Sequence, residues 1–296
     1  MTERILLNTD FVANALPVRD PFSHKGTFGR VLLITGSKNM VGCCTLAAKG
    51  ALRSGAGIVT LAFPDVLYDS LTAQLTENLF LPLETDSYGF ISHNAIGTIL
   101  DEANKADVIM VGCGIGMGYA QSLIVTSLIS MEGKRIILDA DALNNLAECT
   151  DILKKAKADI LITPHPGELA RLFNCTVADI ESDREKAATD FALKYRVNVL
   201  LKGHETVIVN NNATEIYINK TGNTGLSKGG SGDLLSGIIA GLMPSFSNVC
   251  LCGAVGAYIH GMCADVLKEE FTEYAMLPSD CADVLPKVFK ELLSRL

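Results

Sequence analysis

Short apolar runs rich in β-branched residues alternate along this chain with longer amphipathic stretches, and few architectures accommodate that alternation. Residues 30–36 (RVLLITG) read as a buried strand. Residues 41–54 follow as a helix stopped by Gly55-Ala56-Gly57. Residues 58–63 are the next strand, and Pro64-Asp65 opens another helix. Further strands are expected at 107–111, 135–139, 159–163 and 197–202, with helices at 119–130, 142–147 and 166–173 between them. Ser182 is the expected cap of a helix reaching Tyr195, with Glu185 at the capping-box position. Such continuously apolar strands belong in a mostly parallel central β-sheet flanked by helices on both faces, a three-layer α/β/α architecture. Residues 206–210 and 214–219 surround Asn210-Asn211-Asn212 and read as a hairpin. Helices over 231–243 and 249–267 close the fold. The 296 residues are 48% apolar and contain no linker-like or low-complexity segment, so one domain spanning 1–296 is expected.

The formal net charge is −8 and no basic run occurs, which argues against nucleic acid or an anionic membrane surface as a partner. Nine scattered cysteines include no CxxC pair and lie mostly in apolar surroundings, as expected for reduced core thiols in the cytoplasm. The N-terminus shows no apolar leader core. Residues 234–264 carry no Asp, Glu, Lys or Arg, but Pro244 to Asn248 divides them, so they read as two buried helices rather than a membrane span. The same stretch could supply a subunit interface, and a homo-oligomer such as a tetramer is the expected assembly.

The segment Thr224-Gly225-Leu226-Ser227-Lys228-Gly229-Gly230-Ser231-Gly232-Asp233 precedes a strongly helical run. Glycines let backbone N–H groups converge on an anion without Cβ obstruction. The helix N-terminus adds about half a positive charge and free donors. A carboxylate in that first turn would lie beside a bound phosphate, placed to take a proton from an attacking hydroxyl. The plainer reading is a helix capped by Ser231 or Asp233, with the glycines serving only the turn. No GxxxxGK[ST] occurs, so the turn is not a P-loop.

The Gly-x-Gly-Asp turn resembles the anion hole of the ribokinase-like superfamily. The longer string from Thr221 to Asp233 is closer to one branch, the ADP-dependent (S)-NAD(P)H-hydrate dehydratases. Other strings agree, in order, from Ser23 to Leu242: His24-Lys25-Gly26-Thr27-Phe28-Gly29, Gly36 to Cys43, Gly112-Cys113-Gly114, Asp139 to Asn144, Thr163-Pro164-His165-Pro166-Gly167-Glu168, and Lys202-Gly203-His204-Glu205-Thr206. The resemblance implies that Asp233 is the catalytic base and also meets substrate, with Gly230, Ser231 and Gly232 as its anion hole. It implies substrate contacts at Cys43, Gly114 and His165, and a nucleotide-binding role for Lys202, Gly203, His204, Glu205 and Thr206. Glu168 would organise Mg2+ through water. The family usually has Ala at Cys43 and Pro at Cys113. Sugar kinases of the superfamily usually carry Asn-x-x-Glu where this chain has His165-x-x-Glu168, which favours the dehydratase branch.

The activity so implied is nicotinamide nucleotide repair: dehydration of the S epimer of hydrated NADH or NADPH, a hydro-lyase reaction with ADP or ATP as phosphoryl donor and Mg2+ beside it. The partners would be small molecules, the hydrated cofactor and an adenine nucleotide. The competing class is a ribokinase-like small-molecule kinase of the hydroxyethylthiazole or pyridoxine type, and a non-catalytic nucleotide sensor is a third.

Overall fold

The computed structural model describes residues 2–296. Strands β1 (Glu3–Leu6), β2 (Arg30–Ile34), β3 (Ile58–Pro64), β4 (Leu79–Leu83), β5 (Val108–Val111), β6 (Arg135–Leu138), β7 (Asp159–Ile162), β8 (Asn198–Leu201), β9 (Thr206–Val209) and β10 (Glu215–Asn219) form one sheet. Its order is β1-β10-β9-β8-β7-β6-β5-β2-β3-β4. Pairing is parallel except where β9 runs antiparallel to β8 and β10, so the expected hairpin is present. The helices are α1 (Thr9–Ala15), α2 (Gly42–Arg53), α3 (Tyr68–Thr72), α4 (Ile96–Lys105), α5 (Tyr119–Ile129), α6 (Asp141–Leu146), α7 (Pro166–Phe173), α8 (Val177–Ser182), α9 (Arg184–Tyr195), α10 (Ser231–Leu242), α11 (Val249–Ala275) and α12 (Pro278–Leu293).

Period-two alternation sends neighbouring strand residues to opposite faces. Val31 and Leu33 of β2 and Val108 and Met110 of β5 join one core, with residues of α2, α10, α11 and α12. Leu32, Ile34, Ile109 and Val111 join the other, with residues of α4, α5, α6, α7 and α9. The expected three-layer α/β/α arrangement is therefore the observed one. Residues 234–264 are almost entirely buried within the chain. Helix α11 is long and apolar enough to cross a membrane, but 83% of its most apolar window is buried inside the protein, as in a core helix. The same burial leaves this stretch little exposed surface.

Two local expectations are corrected. Ser182 ends α8 instead of capping α9; the cap is Asp183, whose side chain accepts from Lys186 N–H. Neither Ser231 nor Asp233 caps α10, because both lie inside its first turn and Gly230 holds the cap position.

The strand order places the site. From β2 the chain steps outward to β3 and β4, then returns to β5 on the other side of β2 and continues to β6, β7 and β8. The crevice beyond the carboxyl ends of β2 and β5 is the switch point, where open α/β sheets bind ligands.

Candidate active site

Two loops meet at that crevice. Gly36 N–H donates to Cys113 O at 2.8 Å, joining the loop after β2 to the loop after β5. The Cys43 thiol donates to Met40 O at 3.1 Å or to Cys113 O at 3.2 Å. Gly114 has φ 69°, and a Cβ there would lie 2.7 Å from the Cys43 sulfur. Cys43 and Gly114 are thus direct neighbours, and only glycine fits the second position.

Helix α10 starts at the same place. Gly230 has φ 98°, and a Cβ on it would come 2.6 Å from Leu46 Cδ1. Ser231 N–H donates to Lys228 O at 3.2 Å. The N–H groups of Gly232 and Asp233 meet no acceptor among the described residues. Of the expected trio, Ser231 spends its amide on the turn, while the Gly230 N–H, like those of Gly232 and Asp233, meets no acceptor among the described residues and is free to line a candidate anion cup. The Ser231 hydroxyl is buried with no hydrogen-bond partner among the described residues. Free amides at a helix start, an unpartnered hydroxyl and the helix dipole together favour an anion.

Beneath the cup, Lys202 at the end of β8 donates to Asp139 Oδ1 at 2.8 Å and lies 3.8 Å from Glu168 Oε2. A Cβ on Gly232 would lie 3.3 Å from Lys202 Nζ, so the ammonium sits against the first turn of α10. Asp139 is buried, with Ser236 Oγ donating to Oδ2 at 2.8 Å. Burial pushes the Asp139 carboxyl up, but Lys202 and the hydroxyls of Ser236 and Thr163 outweigh it and hold it below the usual range. Asp233 differs: burial pushes its carboxyl up, the Cys113 thiol opposes this, and the charge of Asp139 adds to the rise. The outcome is a raised carboxyl at the mouth of an anion cup, the combination that suits a general base.

His165 and Glu168 are brought to the same side of the site but are occupied locally. His165 Nδ1 accepts from Gly167 N–H at 3.0 Å and from Glu168 N–H at 3.3 Å. Glu168 Oε2 accepts from His165 N–H at 2.7 Å, which completes a capping box for α7. The imidazole proton is consequently on Nε2, the nitrogen left for a ligand. Gly203, His204 and Glu205 lie on an exposed turn. Glu205 pairs with Lys220 at 2.9 Å, and Thr206 Oγ1 donates to Gly203 O at 3.0 Å. Their contacts are local, and Lys202 alone of that string reaches the residues of the cup.

Comparisons with known proteins bear on the family and the fold. Residues 31–287 match the family model described as NAD(P)H-hydrate dehydratase. The chain belongs to the NAD(P)H-hydrate dehydratase family. The ADP-dependent (S)-NAD(P)H-hydrate dehydratase of Neisseria meningitidis is 38% identical over 83% of this chain and 80% of its own length. The bifunctional NAD(P)H-hydrate repair enzyme of Moorella thermoacetica is 38% identical over 98% of this chain, but the chain spans only 54% of that protein. About half the length of the bifunctional relatives is matched in this way. The Bacillus subtilis ADP/ATP-dependent dehydratase, co-crystallised with ATP and Mg2+, superposes with a TM-score of 0.83, 28% identity and coverage of 97% and 98% of the two chains. A hydroxyethylthiazole kinase from Pyrococcus horikoshii, at 14% identity and a TM-score of 0.56, shares the fold.

Set on the family's fold, some site residues have no sequence motif. Ser236 was legible only as a position three residues after Asp233, hence on the same helical face. Arg184 donates to Leu201 O and Lys202 O, both at 3.1 Å, and so fixes the turn after β8 from α9. Asp265 of α11 accepts from Gly222 N–H at 2.8 Å and Asn223 Nδ2 at 3.1 Å. Lys228 donates to Tyr274 O at 2.8 Å and Met276 O at 2.5 Å. These ties brace the loop that feeds the anion cup. Thr272, at φ 61° and ψ 162°, kinks α11 just before the residues that receive Lys228.

Proposed function

We propose that this chain dehydrates the S epimer of hydrated NADH or NADPH, using ADP as phosphoryl donor and releasing AMP and phosphate. The observation that carries the reading is the raised Asp233 carboxyl beside the free amides of Gly232 and Asp233. Asp233 takes the proton from the ring hydroxyl, whose oxygen attacks the terminal phosphorus of ADP and displaces AMP. The amides, the helix dipole and Lys202 stabilise the charge on the transferring group. The resulting phosphate ester departs as phosphate, with loss of a proton from the neighbouring carbon, and the ring double bond returns. The oxygen of the added water leaves in the phosphate, so the reaction balances. Cys43 and Gly114 shape the wall against which the ring lies, and His165 Nε2–H is a donor to the substrate.

Direct magnesium binding does not fit Glu168. One oxygen caps α7, the other lies 3.5 Å from His165 Nε2, and a lysine ammonium is 3.8 Å away. A magnesium ion carried on the nucleotide phosphates would meet Glu168 through water only, and no step here depends on it. The nine free cysteines, most of them buried, suit a reducing compartment such as the cytoplasm.

Incubation of hydrated NADPH with the protein and either ADP or ATP tests the reading. Return of the dihydropyridine absorption with one phosphate per turnover is expected. A stable phosphorylated product would instead identify a kinase.

A further inference from the structure

The loops after β2, β4 and β5 meet at the rim of the crevice and carry large apolar side chains into solvent. Tyr88 is 80% exposed and Met40 45%. Met117, from the loop after β5, and Tyr119, at the start of α5, are exposed as well. The backbone beneath Tyr88 is fixed. Asp86 Oδ1 accepts from the N–H groups of Tyr88 and Phe90, both at 2.9 Å, and Lys38 N–H donates to Gly89 O at 2.9 Å. Gly89 has φ 89°, and a Cβ on it would lie 2.4 Å from Lys38 Cβ. A Cβ on Gly114 would lie 3.0 Å from Met40 Cβ, and one on Gly116 would lie 2.3 Å from Phe90 Cε1. Close approaches therefore lead from Gly114, through Met40 and Lys38, out to the turn that carries Tyr88. A ring left in water on a braced turn adds little to the core, and it offers a ready face to a ligand.

Resting on the reading of Gly114 and Asp233 as the place of the hydrated ring, we propose that this rim is the subsite for the adenosine half of the dinucleotide substrate, with the purine stacked on Tyr88 and Met40 lining the way to it. The topology favours that occupant. Asp233 lies between the ring hydroxyl and the donor's terminal phosphorus in this reading, so the two nucleotides approach it from opposite sides. Lys202 follows β8, whereas Cys43 and Gly114 follow β2 and β5. Beyond β2 the sheet continues only with β3 and β4. The far half of the substrate is thus left the ends of those strands, and the loop after β4 is the one that carries Tyr88. Lys38 is exposed on that path and has the right sign for a pyrophosphate. Stacking of one base on an aromatic ring is worth roughly 10-fold in affinity and needs no base-specific hydrogen bond.

The test compares two substrates that share the reacting ring: hydrated NADH, and hydrated, reduced nicotinamide mononucleotide, which lacks the adenosine half. The ratio of their kcat/KM values should favour hydrated NADH in wild type. It should fall by roughly 10-fold in Tyr88→Ala, the scale of one stacked base, with the loss in KM. Tyr88→Phe, which keeps the ring, should hold the wild-type ratio. A ratio unmoved in Tyr88→Ala, or a phenylalanine variant as poor as alanine, would overturn the proposal. A merely structural role would weaken both substrates alike and leave the ratio in place. A smaller assembly in Tyr88→Ala with the ratio unmoved would also overturn it and make the rim an interface between copies of the chain. If wild type regenerates dihydropyridine from neither substrate, the assigned reaction falls. The relative affinities of NADH and reduced nicotinamide mononucleotide, read by their fluorescence in wild type and Tyr88→Ala, then decide the subsite by the same ratio.

Discussion

Helices α7 and α10 both begin at the carboxyl end of the sheet, yet their first turns are finished in opposite ways. At α7, His165 and Glu168 exchange hydrogen bonds with each other's backbone, and Pro166 occupies the first helical position. The free amides there are consumed by the chain itself. At α10 no side chain closes the turn, Gly230 takes a left-handed conformation, and the Ser231 hydroxyl has no partner. A helix start completed by its own sequence serves stability. One left open in a buried setting keeps its backbone donors for a ligand.

The largest expected effect comes from removing the acting group. Asp233→Asn should leave the fold and melting temperature close to wild type while turnover falls by about 10³-fold, the scale of a general base. Near-normal turnover would break the contrast. Gly230→Ala should be next, because it puts a Cβ against Leu46 and strains φ 98°. Stability should drop by about 1–2 kcal/mol, and kcat/KM for the nucleotide by roughly 100-fold, as the amides are misaimed.

The two helix starts should then respond in reverse order in thermal denaturation and nucleotide binding. His165→Ala removes a cap and should cost about 1 kcal/mol of stability. Ser231→Ala removes an unpartnered hydroxyl and should cost little stability but weaken nucleotide binding several-fold. The smallest effect is in pH. Burial, then the charges of Lys202 and Arg171, hold the His165 imidazole below its ordinary value against the pull of Glu168. The folded state thus prefers the neutral form, so its stability is full above the unfolded value of about 6.5 and declines as pH falls through it. His165 is half exposed, so the loss should be only about a few tenths of a kcal/mol. It should be absent in His165→Asn; an equal slope in that variant would remove His165 as the cause.

Legibility in the sequence followed the same division. The inner strands were readable because burial on both faces makes them continuously apolar, as in Val108–Val111. The edge strands β1 and β4 were not, since Glu3–Leu6 is mostly exposed and β4 contains Pro82, which only an edge tolerates. The glycine turn and Asp233 stood out because that geometry demands glycine. Capping Asp183 was missed in favour of Ser182, one residue earlier and equally able to cap. The pairing of Lys202 with Asp139 joins residues 63 apart in sequence, and no local pattern records it. The idle Ser231 hydroxyl is likewise unrecorded in the sequence, because it depends on which partners the fold withholds.

The most direct test of the central claim is a crystal structure of the protein with ADP and NADPH bound. The terminal phosphate should lie within hydrogen-bond distance of the Gly232 and Asp233 amides, with the Asp233 carboxylate between that phosphorus and the nicotinamide ring. A phosphate bound elsewhere, with the first turn of α10 empty and Asp233 turned from the ring, would contradict the account.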